Sequence, residues 1–280
     1  MNSNYIPRKL LFGNPDIRDL KISPDGRHIA YLAEHHGVLN IWAQDVGNES
    51  TARPLTHDTK RGIFSYDWTF QPGTLIFSQD IDGDENFGLY TLNVLNGETT
   101  EITPPGHFTT HVSELSHLRP DEVVILTNNR DPMYFDYKIL DLRDKTQKDL
   151  FTNTENFALI HFDKYFRPVI AIKSNADGSY TGSLWNPHTK SFFEKFVTAF
   201  EDSMSSTTIS TSNDGRKVYL LSSEGRDKAT FQEWDLATDT LTVLAEDSKS
   251  DIQAIQIHPG SGKPLMATSY YVKARGPLLG

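Results

Sequence analysis

Residues 17–46, "IRDLKISPDGRHIAYLAEHHGVLNIWAQDV", decide the fold class. They contain three runs of strand length, "IRDLKIS", "HIAYLA" and "LNIWAQDV", with Pro, Asp and Gly between them. A fourth run, "ARPLT", follows at residues 52–56. Short apolar or alternating runs bounded by turn residues are typical of antiparallel β-strands. This stretch therefore predicts a four-stranded antiparallel sheet.

The same order of strands and turns recurs along the chain. The turns that follow the first strand of each unit are 48, 48, 46, 48 and 46 residues apart and contain Pro24, Pro72, Pro120, Phe166, Asp214 and Gly260. A period of about 47 residues is the length of one four-stranded propeller blade. The sequence therefore predicts an all-β fold, a β-propeller of four-stranded blades.

Five units are complete and the sixth is partial. After an N-terminal segment at residues 1–15, the predicted propeller domain (16–280) has blades at residues 16–56, 62–103, 107–152, 156–198, 202–246 and, in part, 251–280. In the sixth unit, "IQAIQIHP" and "KPLMATSYYV" supply two strands. A sheet without its outer strands leaves backbone groups unpaired. We therefore expect an incomplete circle, with exposed apolar surface near Ile255, Leu265 and Tyr270, and either self-association through the open edge or a requirement for a partner.

An aromatic residue recurs in the third strand of each complete unit, at Trp42, Tyr90, Tyr137, Trp185 and Trp234. We interpret these side chains as packing between adjacent sheets rather than as a ligand site, because large rings recurring once per blade fill the space between blades.

Composition excludes several classes of protein. The formal net charge is −10, and no basic stripe overrides it, so nucleic acid is not an expected partner. The chain has no cysteine, which excludes disulfides, thiolate metal sites and a cysteine nucleophile. It also has no apolar run long enough for a signal peptide or a membrane span, so we expect a cytoplasmic location and no membrane contact.

Particular segments resemble a known family. Residues 5–46, "THDTKRGIFSYDW" (56–68) and "SQDIDGDENFGLYTLNV" (78–94) are similar to the N-terminal propeller of prolyl oligopeptidase family serine peptidases, in the acylaminoacyl and dipeptidyl peptidase branch. The resemblance implies a seven-bladed ring, of which this chain would supply a part, joined to a C-terminal α/β-hydrolase domain with a Ser-Asp-His triad. It also implies that the propeller restricts substrates to peptides.

The chain itself lacks the sequence signature of that catalytic domain. A nucleophile elbow needs G-x-S-x-G, because small residues must flank a serine held on a strained strand-to-helix turn. The motif occurs nowhere in the 280 residues. We therefore predict no catalytic residues and no enzyme activity for the chain alone. The resemblance implies an α/β-hydrolase domain and peptides as its partners. The sequence leaves open whether that domain has been lost, is encoded separately, or belongs to a longer protein of which this chain is a part.

The most acidic segment is "SQDIDGDENFGLY", residues 78–90. An EF-hand loop that began at Asp80 would need glycine at position 6 and glutamate at position 12. Glu85 and Thr91 stand there instead. A calcium loop is therefore not predicted.

In blade order, this segment lies on the same face as the preceding connection "HDTKRGI", residues 57–63. We therefore predict a binding site, formed by a contact with the catalytic domain or with a peptide amine, at Lys60, Arg61, Asp82, Asp84, Glu85 and Asn86. The alternative is a solvated turn in which Gly83 relieves backbone strain and Asn86 caps the loop, since exposed ion pairs are common and weak.

Histidines offer no metal site at the level of sequence. His107, His111 and His117 fall at a strand entry, where successive side chains face opposite ways, and His35–His36 sit at a hairpin tip. We interpret both sets as solvated or hydrogen-bonded and expect no metal and no cofactor.

Two rival functions stay open. One is a free-standing protein-interaction propeller with TolB-type repeats. The other is a metal-dependent propeller hydrolase such as a lactonase, which needs carboxylates and amides converging on a central ion.

Overall fold

The computed structural model describes residues 6–276 and residue 279. Within these residues the chain forms two short helices, α1 (Arg8–Phe12) and α2 (Phe200–Ser203), and otherwise strands and connections. Neither described helix has the length and apolar character needed to cross a membrane. The strands form six sheets.

Three sheets come from the first half of the chain. Sheet 1 contains β1 (Arg18–Ile22), β2 (His28–His35), β3 (Val38–Asp45) and β4 (Asn48–Pro54). Sheet 2 contains β5 (Ser65–Trp68), β6 (Thr74–Gln79), β7 (Gly88–Asn93) and β8 (Thr99–Thr103). Sheet 3 contains β9 (Thr110–Leu115), β10 (Glu122–Thr127), β11 (Asp136–Asp141) and β12 (Gln147–Phe151).

The other three sheets follow in the second half. Sheet 4 contains β13 (Leu159–Phe162), β14 (Pro168–Ser174), β15 (Tyr180–Asn186) and β16 (Ser191–Thr198). Sheet 5 contains β17 (Thr207–Thr211), β18 (Lys217–Ser222), β19 (Thr230–Asp235) and β20 (Thr240–Ala245). Sheet 6 contains β21 (Ile252–Ile257), β22 (Pro264–Tyr271) and β23 (Lys273–Arg275).

In every sheet, strands adjacent in the chain are also adjacent in the sheet. The pairs are antiparallel, as in Tyr31 opposite Trp42 and Phe77 opposite Tyr90. The all-β prediction is therefore confirmed, and each sheet lies inside the repeat that predicted it. The described residues divide into two compact units: one comprises residues 6–113 and 120–150, and the other comprises residues 114–119, 151–276 and 279. The predicted boundary between an N-terminal segment and a propeller domain stays a prediction.

The recurring turn residues connect the first and second strands of a sheet. In sheet 1 the N–H of Gly26 donates to the carbonyl of Ser23 at 2.9 Å, and in sheet 5 Gly215 donates to Ser212 at the same distance. Gly26 has a φ of 71°, a left-handed conformation that costs glycine little. The period in the sequence thus reflects a turn that each sheet needs at the same place.

Two of the aromatic residues of the third strands, Tyr90 and Trp234, pack as predicted. Trp234 of β19 is buried and clusters with Val169 and Ile170 of sheet 4, and its ring meets Phe196 edge-on at 5.8 Å. Tyr90 of β7 packs against a core of residues from sheets 1 and 2, including Ile41 and Leu75. These rings fill the space between neighbouring sheets.

Sheet 6 differs from the prediction in two ways. Its third strand, β23, pairs with the end of β22, so the chain forms a sixth blade of three strands rather than five blades and a two-stranded remnant. Ile255 is half-buried and packs on the core of sheets 5 and 6, because alternation on β21 turns it inward. Leu265 and Tyr270 are exposed, as predicted.

Candidate functional site

The acidic rim loop, residues 80–87, connects β6 to β7. Asp84 organises it: its Oδ1 accepts hydrogen bonds from the N–H groups of Ile81 and Asn86, at 3.3 and 3.1 Å, and its Oδ2 accepts one from Asn86 Nδ2. Burial alone would raise the pKa of Asp84, but these hydrogen bonds stabilise the carboxylate and lower the pKa below its ordinary value. Asp84 therefore stays charged while it closes the turn.

The connection between sheets 1 and 2 places two cations against this loop. Lys60 Nζ lies 3.1 Å from Asp82 Oδ1, and Arg61 Nη2 lies 3.3 Å from Asp80 Oδ2. The first pair is mostly exposed, so its contribution to stability is small. The Arg61–Asp80 pair is more shielded from solvent, since the Asp80 side chain is only 1% exposed.

Asp80, which is not among the six predicted residues, also belongs to the site. Its Oδ2 also accepts the N–H of Glu85 at 3.2 Å, whereas its Oδ1 is buried without a hydrogen-bond partner among the described residues. A buried charged oxygen without a donor carries a desolvation cost. The sequence does show that Asp80 directly follows the apolar strand β6 and begins the loop.

Asp80 lines a pocket of about 210 Å³ between the two connections. The pocket walls combine both signs of charge with apolar surface and comprise Asp58, Lys60, Arg61, Gln79, Asp80, Ile81, Asp82, Tyr90 and Pro105. An ammonium group of suitable size would find carboxylates there, and Arg61 would have to share Asp80 with it.

Gly83 keeps Arg61 close to the loop. It has a φ of 88°, and a Cβ at this position would lie 2.9 Å from Arg61 Nη1. A side chain would therefore displace the guanidinium as well as strain the backbone. The glycine serves the pairing of the two loops, not only the turn.

The remaining predicted residues take different places. The Glu85 carbonyl accepts a hydrogen bond from Thr109 Oγ1 at 2.8 Å, and the Asn86 carbonyl accepts one from Gly106 N–H at 3.0 Å, which fixes the end of the loop. The structure therefore brings the six predicted residues into one loop pair. Whether they bind a ligand stays a prediction.

Of the three histidines near β9, His111 lies between the rings of Phe87 and Phe135, at centroid distances of 5.5 and 6.4 Å. Burial lowers its pKa, which favours the neutral ring. Its role is packing.

No model of a known protein family matches the chain. Among curated proteins, dipeptidyl aminopeptidase BIII of Pseudoxanthomonas mexicana is 32% identical over 272 residues, which are 97% of this chain and 39% of that enzyme. The chain thus spans about two fifths of the length of this relative.

Solved structures show the same fold at low sequence identity. One of two prolyl endopeptidases studied for interdomain dynamics superposes with a TM-score of 0.64 at 13% identity, over 94% of this chain and 41% of that one. The β-propeller domain of the trilobed protease from Pyrococcus furiosus superposes with a TM-score of 0.55 at 15% sequence identity, over 95% of this chain and 81% of that one. TolB from Acinetobacter baumannii superposes with a TM-score of 0.54 at 14% sequence identity, over 82% of this chain and 54% of that one. A TolB-type propeller is therefore the weaker alternative to a peptidase propeller.

The sequence relative covers nearly the whole chain, and the similar structures include a propeller domain cut from a protease. This chain is a β-propeller domain that resembles those of prolyl oligopeptidase family peptidases.

Proposed function

We propose that the chain is the non-catalytic, substrate-restricting propeller of a peptidase related to the dipeptidyl and acylaminoacyl peptidases. The observation that carries this proposal is the 32% identity with dipeptidyl aminopeptidase BIII along 97% of the chain. An α/β-hydrolase domain would supply the nucleophile, the base and the oxyanion hole. The propeller would limit the size of peptides that reach them.

The acidic rim loop would contribute a contact for a positive group. Asp80, Asp82, Asp84 and Glu85 outnumber Lys60 and Arg61, so the loop pair carries net negative charge. The buried Oδ1 of Asp80 has no donor among the described residues, and a peptide α-amine or a cationic side chain of the hydrolase domain would supply one.

A reconstitution experiment tests the domain assignment. The 280-residue chain is mixed with the separately produced hydrolase domain of the Pseudoxanthomonas enzyme, and binding is measured by sedimentation, with an unrelated α/β-hydrolase as the control. We expect a complex with the first only. We also expect the complex to cleave dipeptidyl substrates and to spare folded proteins. Absence of a complex, or cleavage of dipeptidyl substrates by the propeller alone, would overturn the proposal.

The rim loop is tested in the same complex. Asp80→Asn and Asp82→Asn preserve shape and remove charge, and asparagine tolerates the positive φ of Asp82. We expect weaker peptide binding, seen as a higher KM, or a weaker complex. Glu155→Gln, an exposed acid outside the loop pair, is the matched control. Equal behaviour of all three variants would show that the loop is only a solvated turn.

A further inference from the structure

Three imidazoles meet beside the hairpin of sheet 1. His35 ends β2, His36 occupies the turn to β3, and His57 follows β4. His35 Nε2 lies 3.2 Å from His57 Nδ1, and the centroids of the His35 and His36 rings are 3.9 Å apart. One nitrogen from each of the three side chains can be chosen so that all lie within 4.8 Å of one another.

The distance between the His35 and His57 nitrogens fits a shared ion. Zinc binds imidazole nitrogen at about 2.0–2.1 Å in tetrahedral geometry, which places two such ligands about 3.3–3.4 Å apart. The observed 3.2 Å is close to that spacing. Without an ion, the pair shares one proton in a hydrogen bond.

The hairpin aims His36 toward the other two rings. His35 pairs with Val38, so His36 and Gly37 form a two-residue turn. Their φ angles of 57° and 87° are both positive, as the type I′ turn requires. The turn is therefore a defined conformation of a tight hairpin rather than a loose loop.

A buried asparagine ties the two histidine-bearing segments together. Asn40 is fully buried, and its Nδ2 donates to the carbonyls of His35 and Asp58, both at 3.0 Å. Its Oδ1 accepts the N–H of Asp58 at 2.8 Å and the hydroxyl of Thr56 at 2.9 Å. His57 lies between these last two residues, so one side chain fixes its backbone relative to that of His35.

Such support is what a metal site needs, because ligands must be held before the ion arrives. The ring of Trp42 also meets His35 edge-on at 5.8 Å. His36 and His57 are exposed and open to solvent.

We propose that His35, His36 and His57 form a site for a divalent first-row transition metal ion, with zinc as the fitting example. Nitrogen ligands of this type suit zinc, nickel and copper. Three protein ligands leave a coordination position for water or for a group from another molecule. In the part of the chain that the structure describes, no other group of three or more histidine, aspartate or glutamate side chains has this spacing.

The test uses the full chain without a histidine tag, stripped with chelator and then titrated. Calorimetry with ZnCl₂ is expected to show one ion bound per chain, and CoCl₂ is expected to give the absorption bands of nitrogen-ligated cobalt. His36→Asn, in which asparagine tolerates the φ of 57° at this position, and His57→Gln should each weaken zinc binding at least about tenfold, since loss of supporting groups alone costs that much in metal sites. Both residues are exposed, so the metal-free variants should keep the melting temperature of the parent.

His188→Gln removes an exposed histidine from sheet 4's hairpin and is the matched control, with zinc affinity expected to be unchanged. Absence of stoichiometric zinc binding would overturn the proposal. Binding that survives in both ligand variants, or that falls equally in the His188 variant, would do so as well, because the ion would then lie elsewhere.

Discussion

At the scale of single residues, Tyr66 links the first strands of sheets 1 and 2. Its side chain is buried on β5, and its hydroxyl lies within hydrogen-bond distance of the carbonyls of Asp19 and Ala30. Tyr66→Phe removes this buried hydrogen-bond donor, so we expect the free energy of unfolding to fall by about 1–2 kcal/mol. Urea denaturation measures it. Tyr165→Phe, at a half-exposed ring, should change stability little, and equal losses would contradict the argument.

His161 gives the chain a pH-dependent stability. It is buried, its Nε2 lies 3.0 Å from Thr208 Oγ1, and burial lowers its pKa to about 4. The unfolded chain takes up this proton near pH 6.5. The contribution of the neutral ring is therefore complete above that pH and is lost as the pH falls toward 4.

We expect about 2 kcal/mol of this contribution to be lost at pH 5. Denaturation at pH 8 and pH 5 measures it in the parent and in His161→Gln, whose stability should depend less on pH. His107→Gln, an exposed histidine, should behave as the parent does. If the His161 variant keeps the full pH dependence, another group is responsible.

At the scale of elements, Asn40 holds the β2–β3 hairpin against the connection that leaves β4. Asn40→Ala removes the donor to the carbonyls of His35 and Asp58 and the acceptor of the Asp58 N–H. Each buried group left unpaired costs about 1–3 kcal/mol, so we expect a loss of roughly 3 kcal/mol in the free energy of unfolding. Urea denaturation is the measurement.

Asn96→Ala, in the exposed β7–β8 turn, is the matched control and should cost less than about 1 kcal/mol. At a temperature where the Asn40→Ala variant is still folded, it should also bind zinc more weakly than the parent. All three histidines remain, but the hydrogen bonds that hold their backbones together are lost. A stability loss no greater than that of the control would show that the hydrogen bonds contribute little.

The elements were predictable wherever a turn repeats. Residues such as Gly26 and Gly215 are needed at the same point of each sheet, so the period in the sequence locates the sheets. β23 has only three residues and no alternation of apolar and polar side chains, which left it unrecognised. Helix α2 has four residues, too few for a helical period.

The candidate sites were predictable only in part, for a related reason. The Lys60–Asp82 pairing follows from the order of loops in consecutive blades. The histidine cluster does not, because His57 is 22 residues from His35 and reaches it only through the connection that Asn40 ties down. Long-range side-chain hydrogen bonds of this kind leave no periodic signal in one sequence.

At the scale of the whole molecule, sheet 6 exposes apolar side chains on its second strand, β22, whereas the second strand of sheet 5, β18, is buried or half-buried. Leu265 is 41% exposed, Tyr270 52%, Tyr271 45% and Val272 93%. All belong to β22 or to the turn that leads to β23, a strand of three residues that covers only the end of β22. A partly uncovered strand with apolar side chains promotes pairing between chains.

We therefore expect the 280-residue chain to self-associate through this surface, with a sedimentation coefficient that rises with protein concentration. Leu265→Lys combined with Tyr271→Lys should abolish the rise, because charge on this partly uncovered strand opposes pairing. Leu241→Lys, equally exposed but on β20 of a complete sheet, is the control and should leave it intact. A parent chain that sediments as a monomer at every concentration would contradict the expectation. It would show that the short strand β23 and the hydrogen bond from Leu279 N–H to the Leu265 carbonyl are enough to protect β22 from pairing with another chain.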